Sequence, residues 1–263
     1  MTFELRIARK YLRYLLQSNN RHAVHSPFVY ALIEDVLRDR RKFYAFSRIE
    51  KRRKELLKDH RLIKITDLGA GSSLQRVTER RVWDLAKYAA KAPKYGRLLF
   101  RLVNHFQPGT ILELGTSLGI STAYLASART EAQVWTLEGC PEISDIAKDT
   151  FSGLELQNIR MIPGNFDDTL APALRQLPRL DMAFIDGNHR KEPTLRYFSQ
   201  CLTQVHEDSV LIFDDIHWTR EMESAWKQIK AHPSVTLSID VFFMGVVFFK
   251  KSFREKQDFT LRY

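Results

Sequence analysis

Residues 110–121 read TILELGTSLGIS. An apolar, β-branched run leads to Gly115 and Gly119, and small residues follow them. This order predicts a buried strand, a tight turn and the first turn of a helix. Because glycine lacks a Cβ and reaches positive φ, a turn of this kind lets backbone amides approach a ligand closely.

The rest of the chain after Thr110 alternates short β-rich runs with helical ones. Strands are predicted over residues 110–114, 134–138, 159–163, 181–186, 209–213, 235–239 and 241–249. Helical segments between buried strands favour a parallel sheet with right-handed crossovers. The last two strands are separated only near Asp240, too briefly for a helix, so they are predicted to form a hairpin with one strand antiparallel to the others.

The charge of the chain is unevenly distributed. The 263 residues include 41 Lys and Arg against 31 Asp and Glu, a net charge of +10, and 44% of the residues are hydrophobic. Residues 1–105 carry a net charge of +15 and the remainder −5. This composition excludes a disordered tail protein, a collagen-like repeat and a disulfide-stapled miniprotein. We expect a basic, mainly helical N-terminal extension over residues 1–80 and an α/β domain over residues 81–263.

Cysteine usage and apolar runs bear on the compartment. Cys140 and Cys201 are the only cysteines, too few for a disulfide framework. Charged residues interrupt the apolar positions of residues 1–17, and the longest apolar run, residues 241–249, is too short to span a bilayer as a helix. The sequence therefore predicts a soluble, cytoplasmic protein.

The glycine turn has acidic residues on both sides of it. Glu113 lies just before Gly115, and Glu138 ends the next predicted strand. The GxxxG spacing does not meet the GxGxxG pyrophosphate fingerprint of NAD enzymes. In a doubly wound sheet, however, a carboxylate at the position of Glu138 accepts hydrogen bonds from ribose hydroxyls. The pattern predicts a nucleoside-type cofactor; a plain strand–turn–helix is the alternative.

A second glycine motif, DLGAGS at residues 67–72, has weaker support. Only Ile63-Lys64-Ile65 precedes it as a strand, and residues 76–81 show little apolar periodicity. We interpret it as an ordinary glycine turn within the basic N-terminal extension, and a second cofactor site is the alternative.

Residues 111–121 resemble motif I of the class I S-adenosylmethionine-dependent methyltransferases. More narrowly, the chain resembles the catechol O-methyltransferase-like enzymes, which act on small molecules. The segments that carry this resemblance are Lys94-Tyr95-Gly96, Glu113-Leu114-Gly115, Gly119-Ile120-Ser121, Ile185-Asp186-Gly187 and Asp214-Asp215, and it covers about residues 94–250.

This resemblance implies a Rossmann-like class I methyltransferase fold, with a seven-stranded, mostly parallel sheet in the order 3-2-1-4-5-7-6 and its seventh strand antiparallel. It also implies that S-adenosylmethionine is the cofactor. The residues assigned to that cofactor are Glu113, Gly115, Thr116, Gly119, Ser121, Glu138, Asn165, Phe166, Asp167 and Asp186. By the resemblance, the motif I residues surround the methionine part, Glu138 holds the ribose, and residues 164–167 lie near the adenine.

Three carboxylates follow neighbouring predicted strands. Asp186 ends the fourth strand, and Asp214 and Asp215 end the fifth, so we expect all three to converge near the cofactor cleft. Clustered carboxylates repel one another unless a cation neutralises them, and oxygen ligands suit Mg²⁺, Mn²⁺ or Ca²⁺. The resembling enzymes usually carry Asn as the third ligand, where this chain has Asp215. The alternatives are helix capping by these residues or a metal-free methyltransferase.

His189 follows Asp186 by three residues, at a position where the resembling enzymes carry a lysine base. An imidazole with a free pKa of about 6.5 can take the proton of a hydroxyl nucleophile. We therefore predict His189 and Asp186 as catalytic residues of a divalent-metal-assisted O-methyltransferase that acts on a small hydroxylated molecule. His217 is a secondary candidate, and Trp218 is a candidate pocket wall or core residue.

Two other functions remain open at this level. The basic runs Arg38–Lys42 and Lys51–Lys54, with Tyr44 or Phe46 to stack on bases, allow an RNA or DNA methyltransferase. Alternatively, the front helices make the chain a cofactor-binding interaction protein without turnover, or a homodimer. The apolar face of residues 3–16 suits a partner helix or an anionic membrane, and docking on its own domain is the preferred interpretation.

Overall fold

The computed structural model describes residues 3–18, 25–67 and 76–263. Two compact units make up the fold. One comprises Met1–Leu37 together with Arg179–Tyr263, and the other comprises Arg38–Pro178. The predicted division at residue 80 stays a prediction.

Helices and strands alternate along most of the chain. The helices are α1 (Phe3–Gln17), α2 (Pro27–Leu32), α3 (Tyr44–Leu56), α4 (Val82–Tyr88), α5 (Pro93–Phe106), α6 (Ile120–Ala128), α7 (Pro141–Gly153), α8 (Phe166–Gln176), α9 (Lys191–Cys201) and α10 (Arg220–Ala231), and a π-helical turn, Ile33–Leu37, continues α2. The strands are β1 (Leu62–Asp67), β2 (Arg76–Arg81), β3 (Thr110–Leu114), β4 (Gln133–Glu138), β5 (Ile159–Pro163), β6 (Leu180–Ile185), β7 (Val205–Asp214), β8 (Leu237–Asp240), β9 (Met244–Phe248) and β10 (Gln257–Thr260).

In the unit Arg38–Pro178, three parallel strands follow the order β5-β4-β3. Leu114 lies opposite Leu137, and Glu138 lies opposite Pro163. All five residues of β3 are buried, as a strand covered on both faces requires. This order confirms the predicted arrangement 3-2-1, and it brings the carboxyl ends of the strands to one edge of the sheet.

In the other unit, the strand order is β10-β8-β9-β7-β6. β6 and β7 are parallel, and β9 runs antiparallel to both β7 and β8. These pairings confirm the predicted order 4-5-7-6 and the hairpin, whose turn holds Phe242 at a φ of 71°. β10 pairs in parallel with β8 and adds a strand beyond the predicted seven.

The basic front contains a hairpin that the mainly helical prediction missed. β1 and β2 pair antiparallel, with Leu62 opposite Arg81. Ile63 and Ile65 pack against the apolar core of their unit, and this tertiary packing supports strand structure in a segment with weak local periodicity. Residues 68–75, which hold most of the second glycine motif, lie outside the described residues, so its function stays a prediction.

Helix α1 docks on its own unit through aromatic side chains. The ring of Phe242 lies 4.9 Å from that of Tyr11 and 5.3 Å from that of Tyr14, measured between centroids. The Tyr14 hydroxyl donates a hydrogen bond to the Leu261 carbonyl at 2.5 Å, and burial raises the pKa of Tyr14 to about 12. The aromatic side chains of α1 therefore pack against the unit to which the helix belongs, as the preferred interpretation predicts. Among the described helices, none is long and apolar enough to cross a membrane.

Candidate active site

The turn between β3 and α6 depends on two glycines. Gly115 and Gly119 have φ values of 99° and 80°, in the left-handed region that disfavours other residues. A Cβ on Gly119 would lie 2.6 Å from Cε1 of Phe151, so the close packing of α6 on α7 also requires glycine there. No side chain caps the start of α6. The first amides of this helix are thus suited to hold a carboxylate.

Glu113 lies beneath this turn and is fully buried. Its Oε2 accepts hydrogen bonds from the hydroxyls of Thr122, at 2.5 Å, and Thr136, at 2.7 Å. Its Oε1 has no hydrogen-bond partner among the described residues. Burial raises the pKa of Glu113 to about 7, although hydrogen bonding by the side chains of Thr122, Thr136 and Ser121 acts in the opposite direction. The open oxygen is an acceptor suited to a cationic group of a ligand.

Glu138 fastens the turn to the end of β4. Its Oε2 accepts a hydrogen bond from the Ser117 amide at 2.9 Å, and its Oε1 accepts one from the Cys140 amide at 3.0 Å. Burial raises the pKa of Glu138, and these backbone hydrogen bonds partly offset the effect. Each carboxylate oxygen retains a lone pair, so the side chain can still accept from a diol.

Thr116 and Ser121 are both buried. The Thr116 hydroxyl lies 2.6 Å from that of Thr136, within the network that surrounds Glu113. The Thr116 side chain therefore links the turn to β4 by its hydrogen bond to Thr136. Its amide is bound to the Leu137 carbonyl at 3.3 Å.

The predicted adenine-side residues follow β5. The Gly164 amide donates to the Glu138 carbonyl at 2.8 Å, which connects this loop to the strand that carries the ribose candidate. Asn165 caps α8, because its side-chain oxygen accepts from the Asp167 amide at 3.1 Å. Phe166 is half-buried and Asp167 is exposed. Asn165 thus has a structural function, and Phe166 offers an apolar surface next to the same turn.

The other predicted site residues lie where β6 and β7 end, in the unit that comprises Met1–Leu37 and Arg179–Tyr263. The His189 Nε2 lies 3.6 Å from Asp186 Oδ1, and its Nδ1 lies 3.8 Å from Asp215 Oδ2. His189 and Asp215 have φ values of 22° and 53°, a backbone conformation typical of functional loops. The His189 side chain is 36% exposed and therefore accessible to a substrate.

This arrangement does not assemble the predicted metal ligands. No group of three His, Cys, Asp or Glu side chains in the described parts of the chain is placed to hold a metal ion. Asp214, the last residue of β7, is buried, whereas Asp215 follows it in a left-handed conformation. The imidazole of His189 lies close to both Asp186 and Asp215, and Asp186, Asp214 and Asp215 as metal ligands stay a prediction.

His217, the secondary candidate, has a different environment. Its Nε2 lies 2.7 Å from Asp240 Oδ2, and its Nδ1 lies 3.6 Å from Glu223. Its ring stacks on Phe242, and its carbonyl accepts a hydrogen bond from Lys10 of α1 at 3.0 Å. These contacts place His217 in the docking surface of α1. Trp218 is 40% exposed.

Sequence reasoning missed several polar residues of the two clusters. Thr122 and Thr136 donate hydrogen bonds to Glu113, and neither is among the predicted site residues. Asn188, beside His189, donates to the Tyr197 hydroxyl at 3.3 Å and keeps a buried, unpaired Oδ1 within the described structure. In the sequence, these residues differ from their neighbours only by a hydroxyl or amide among mostly apolar side chains. Many helix-capping residues show the same pattern, so it does not identify a functional residue.

Comparisons with known proteins agree with this architecture. Residues 112–216 match the family model described as a methyltransferase domain. Over 139 residues the chain is 29% identical to the catechol O-methyltransferase of Mycobacterium tuberculosis. The matched segment covers 51% of this chain and 59% of that protein. Over 110 residues it is 33% identical to the human transmembrane O-methyltransferase, which covers 40% of this chain and 37% of that protein. The chain thus matches less than two thirds of the length of either relative.

Two solved structures share the fold over most of the chain. The O-methyltransferase from Bacillus cereus, in complex with SAH, is 21% identical with a TM-score of 0.55, covering 84% of this chain and 97% of that one. TomG from Streptomyces achromogenes, in complex with SAM, is 20% identical with a TM-score of 0.57, covering 84% and 95%. They confirm the predicted Rossmann-like α/β fold. The chain therefore has the fold of these O-methyltransferases, its central segment matches a methyltransferase domain, and the relatives it resembles by sequence are O-methyltransferases.

Proposed function

We propose that this protein transfers a methyl group from S-adenosylmethionine to a hydroxyl oxygen of a small molecule. The observation that carries this proposal is the turn Gly115–Gly119. Glu138 accepts a hydrogen bond from the Ser117 amide within this turn, and the buried Glu113 beside it has one carboxylate oxygen, Oε1, without a hydrogen bond among the described residues. The sequence relatives named above, which are O-methyltransferases, support oxygen as the acceptor atom.

The turn supplies complementary groups for each charged or polar part of such a cofactor. The amides at the start of α6 would hold the carboxylate of its methionine part, and the open Oε1 of Glu113 would accept from its ammonium group. Glu138 would accept from the ribose hydroxyls. When bound, S-adenosylmethionine supplies an electrophilic methyl group on a positively charged sulfur.

His189 is the proposed general base. With the cofactor bound, a ring nitrogen of His189 would accept the proton of the acceptor hydroxyl, so that the oxygen could take the methyl group as the sulfur leaves. Asp186 and Asp215, at 3.6 and 3.8 Å, would orient the ring and stabilise the imidazolium that forms. The products are a methyl ether, S-adenosylhomocysteine and, after His189 is deprotonated by solvent, a proton.

The sequence-based prediction of metal assistance needs a separate test, because no group of three His, Cys, Asp or Glu side chains among the described residues is placed to hold a metal ion. Calorimetric titration of the protein with Mg²⁺ and Mn²⁺, with and without acceptor, measures binding directly. Saturable binding that Asp214→Ala abolishes, together with activity lost in EDTA, would support a catalytic metal. Activity that is unchanged both in EDTA and in Asp214→Ala would contradict it.

The cofactor proposal is tested by titrating the full chain with S-adenosylmethionine, S-adenosylhomocysteine and NAD. We expect the first two to bind and NAD to give no heat; binding of NAD alone would contradict the proposal. A panel of catechols, phenols and aliphatic alcohols, analysed by mass spectrometry for a methyl adduct, then identifies the acceptor class. Cofactor binding without a methylated product across the panel would favour an interaction protein instead.

Two further predictions from the sequence belong to this proposal. A cytoplasmic location and a homodimer are untested by the structure and stay predictions. A nucleic-acid substrate is less favoured, because Phe46, one of the two predicted stacking residues, is buried at 5% exposure and cannot stack on a base. The exposed Tyr44 remains the other stacking candidate.

A further inference from the structure

A basic pocket lies within the unit Arg38–Pro178, between the segment that leads into α3 and one side of α5. Its volume is about 390 Å³, and residues of the range 39–50 line it together with Arg97 and Arg101. This volume lies within the range of small-molecule sites, which begins at about 300 Å³. The proposed methyl-transfer chemistry does not use these residues.

The lining has an excess of positive charge. It contains the cations Arg40, Arg41, Lys42, Arg97 and Arg101, against the carboxylates of Asp39 and Glu50. Arg101 is buried at 9% exposure, and its Nε has no hydrogen-bond partner among the described residues. That nitrogen lies 3.6 Å from Oδ2 of Asp39, with which Arg101 forms an ion pair, and another guanidinium nitrogen of Arg101 donates to the Arg41 carbonyl at 3.4 Å. A buried donor without an acceptor is costly, so a ligand acceptor would relieve it.

Aromatic rings hold the guanidinium groups in place. The Cζ atoms of Arg97 and Arg101 lie 5.4 and 5.6 Å from the centroid of the Phe46 ring, and Arg41 lies 5.6 Å from that of Phe43. Arg97 also donates to Glu50 at 2.8 Å. These contacts restrict the side chains before any ligand arrives, which lowers the entropic cost of binding.

The start of α3 adds to the positive electrostatic potential of the pocket. This 13-residue helix begins at Tyr44, beside the pocket, and its N-cap residue Phe43 provides no side-chain hydrogen bond. The positive end of the helix dipole and its first amides therefore favour an anion in addition to the arginines.

We propose that this pocket binds the phosphate group of a small phosphorylated molecule, a function beyond methyl transfer. An excess of three positive charges matches a phosphate dianion better than a monovalent carboxylate, and guanidinium groups bind phosphate oxygens in pairs. A compact ligand is favoured over RNA because the two arginines of the neighbouring basic run, Arg52 and Arg53, are bound internally. Arg53 donates to the Ala86 carbonyl at 3.0 Å, and Arg52 donates to Thr150 at 3.3 Å.

The test is calorimetric titration of the full chain with phenyl phosphate, inorganic phosphate and benzoate at constant ionic strength. We expect saturable binding of both phosphates and weaker binding of benzoate. The double variant Arg40→Gln/Lys42→Gln removes two exposed cations of the pocket and should weaken phosphate binding about tenfold or more. Its matched control, Lys51→Gln/Lys54→Gln, removes the same charge from exposed residues of α3 outside the pocket and should leave affinity within about twofold.

Three results would overturn the proposal. The first is no saturable phosphate binding up to about 10 mM. The second is equal weakening by the two double variants, which indicates general charge attraction. The third is binding only of an RNA of about twelve nucleotides, or only of vesicles that contain phosphatidic acid, with the phosphate probes inactive. Arg101→Gln, if folded by circular dichroism, should lose phosphate binding, and retained affinity would contradict the role of its buried Nε.

Discussion

The turn Gly115–Gly119 and the cluster of His189 with Asp186 and Asp215 are built in different ways. In the turn, Glu113 and Glu138 have hydrogen bonds of 2.5 to 3.0 Å to residues within the same sheet edge. In the cluster, His189 is partly exposed and lies 3.6 and 3.8 Å from its carboxylates. The first region is pre-organised by backbone and burial, whereas the second retains the freedom to adjust to an acceptor.

The largest effect is expected from His189→Gln. If the cluster supplies the base, kcat should fall about 100-fold or more while affinity for S-adenosylmethionine stays within about twofold. Steady-state kinetics and calorimetry measure the two quantities. The control is His217→Gln, because His217 also lies between two carboxylates but in the α1 docking surface. It should lower stability by about 1 kcal/mol and leave kcat largely unchanged; equal loss of kcat in both variants would contradict the assignment.

Gly119→Ala tests the rigidity of the turn. The residue has a φ of 80°, and a Cβ would lie 2.6 Å from the Phe151 ring. Backbone strain and overpacking each cost about 1 to 3 kcal/mol, so the free energy of unfolding should fall by about 2 to 6 kcal/mol and cofactor affinity should fall with it. Urea denaturation and calorimetry measure these changes.

Gly153→Ala is its matched control, since a Cβ there meets nothing within 4 Å. Residue 153 ends helix α7, and alanine is the better helix former, so stability should be unchanged or higher by up to about 1 kcal/mol. Similar losses in the two variants would show that the turn does not depend on the special geometry of Gly119.

Glu113 makes the stability of the turn depend on pH. Its pKa in the folded state is about 7, against an ordinary value of 4.5, so the folded protein binds the proton more tightly than the unfolded chain. Stability should therefore fall as pH rises from about 4.5 to 7, by roughly 3 kcal/mol, and stay lowered above pH 7. Denaturation curves across this range, compared with Glu113→Gln, isolate the effect. A variant with the same slope as the wild type would contradict a buried, neutral Glu113.

The smallest effect is expected from Glu138→Gln. The amide keeps one acceptor oxygen but places an NH₂ group against the amide of Ser117 or of Cys140. We expect affinity for S-adenosylmethionine to fall about tenfold, with kcat changed less. Glu131→Gln, at an exposed position just before β4, is the charge-matched control and should bind the cofactor normally.

Much of the fold could be predicted because its elements have strong local signals. The buried run of β3, the glycines after it and the short break near Asp240 each restrict the backbone through periodicity or positive φ. The β1–β2 hairpin has no such signal, since Ile63 and Ile65 acquire their strand structure from packing. Phe46 shows the same limitation, because an aromatic residue in a basic run is compatible with nucleic-acid binding until its burial is known.

The strand order within each unit was implied by the resemblance to the class I methyltransferases. The sequence by itself determined the glycine turn, the hairpin near Asp240 and the identity of the acidic residues that follow the strands. Those features depend on periodicity, on the missing Cβ of glycine and on chain order, which are local properties. Only the tertiary structure decided that Asp214 is buried while Asp215 faces His189, that Glu113 has a pKa near 7, and that scattered arginines line one pocket. Burial and the direction of a side chain depend on distant segments, and charge chemistry follows from both.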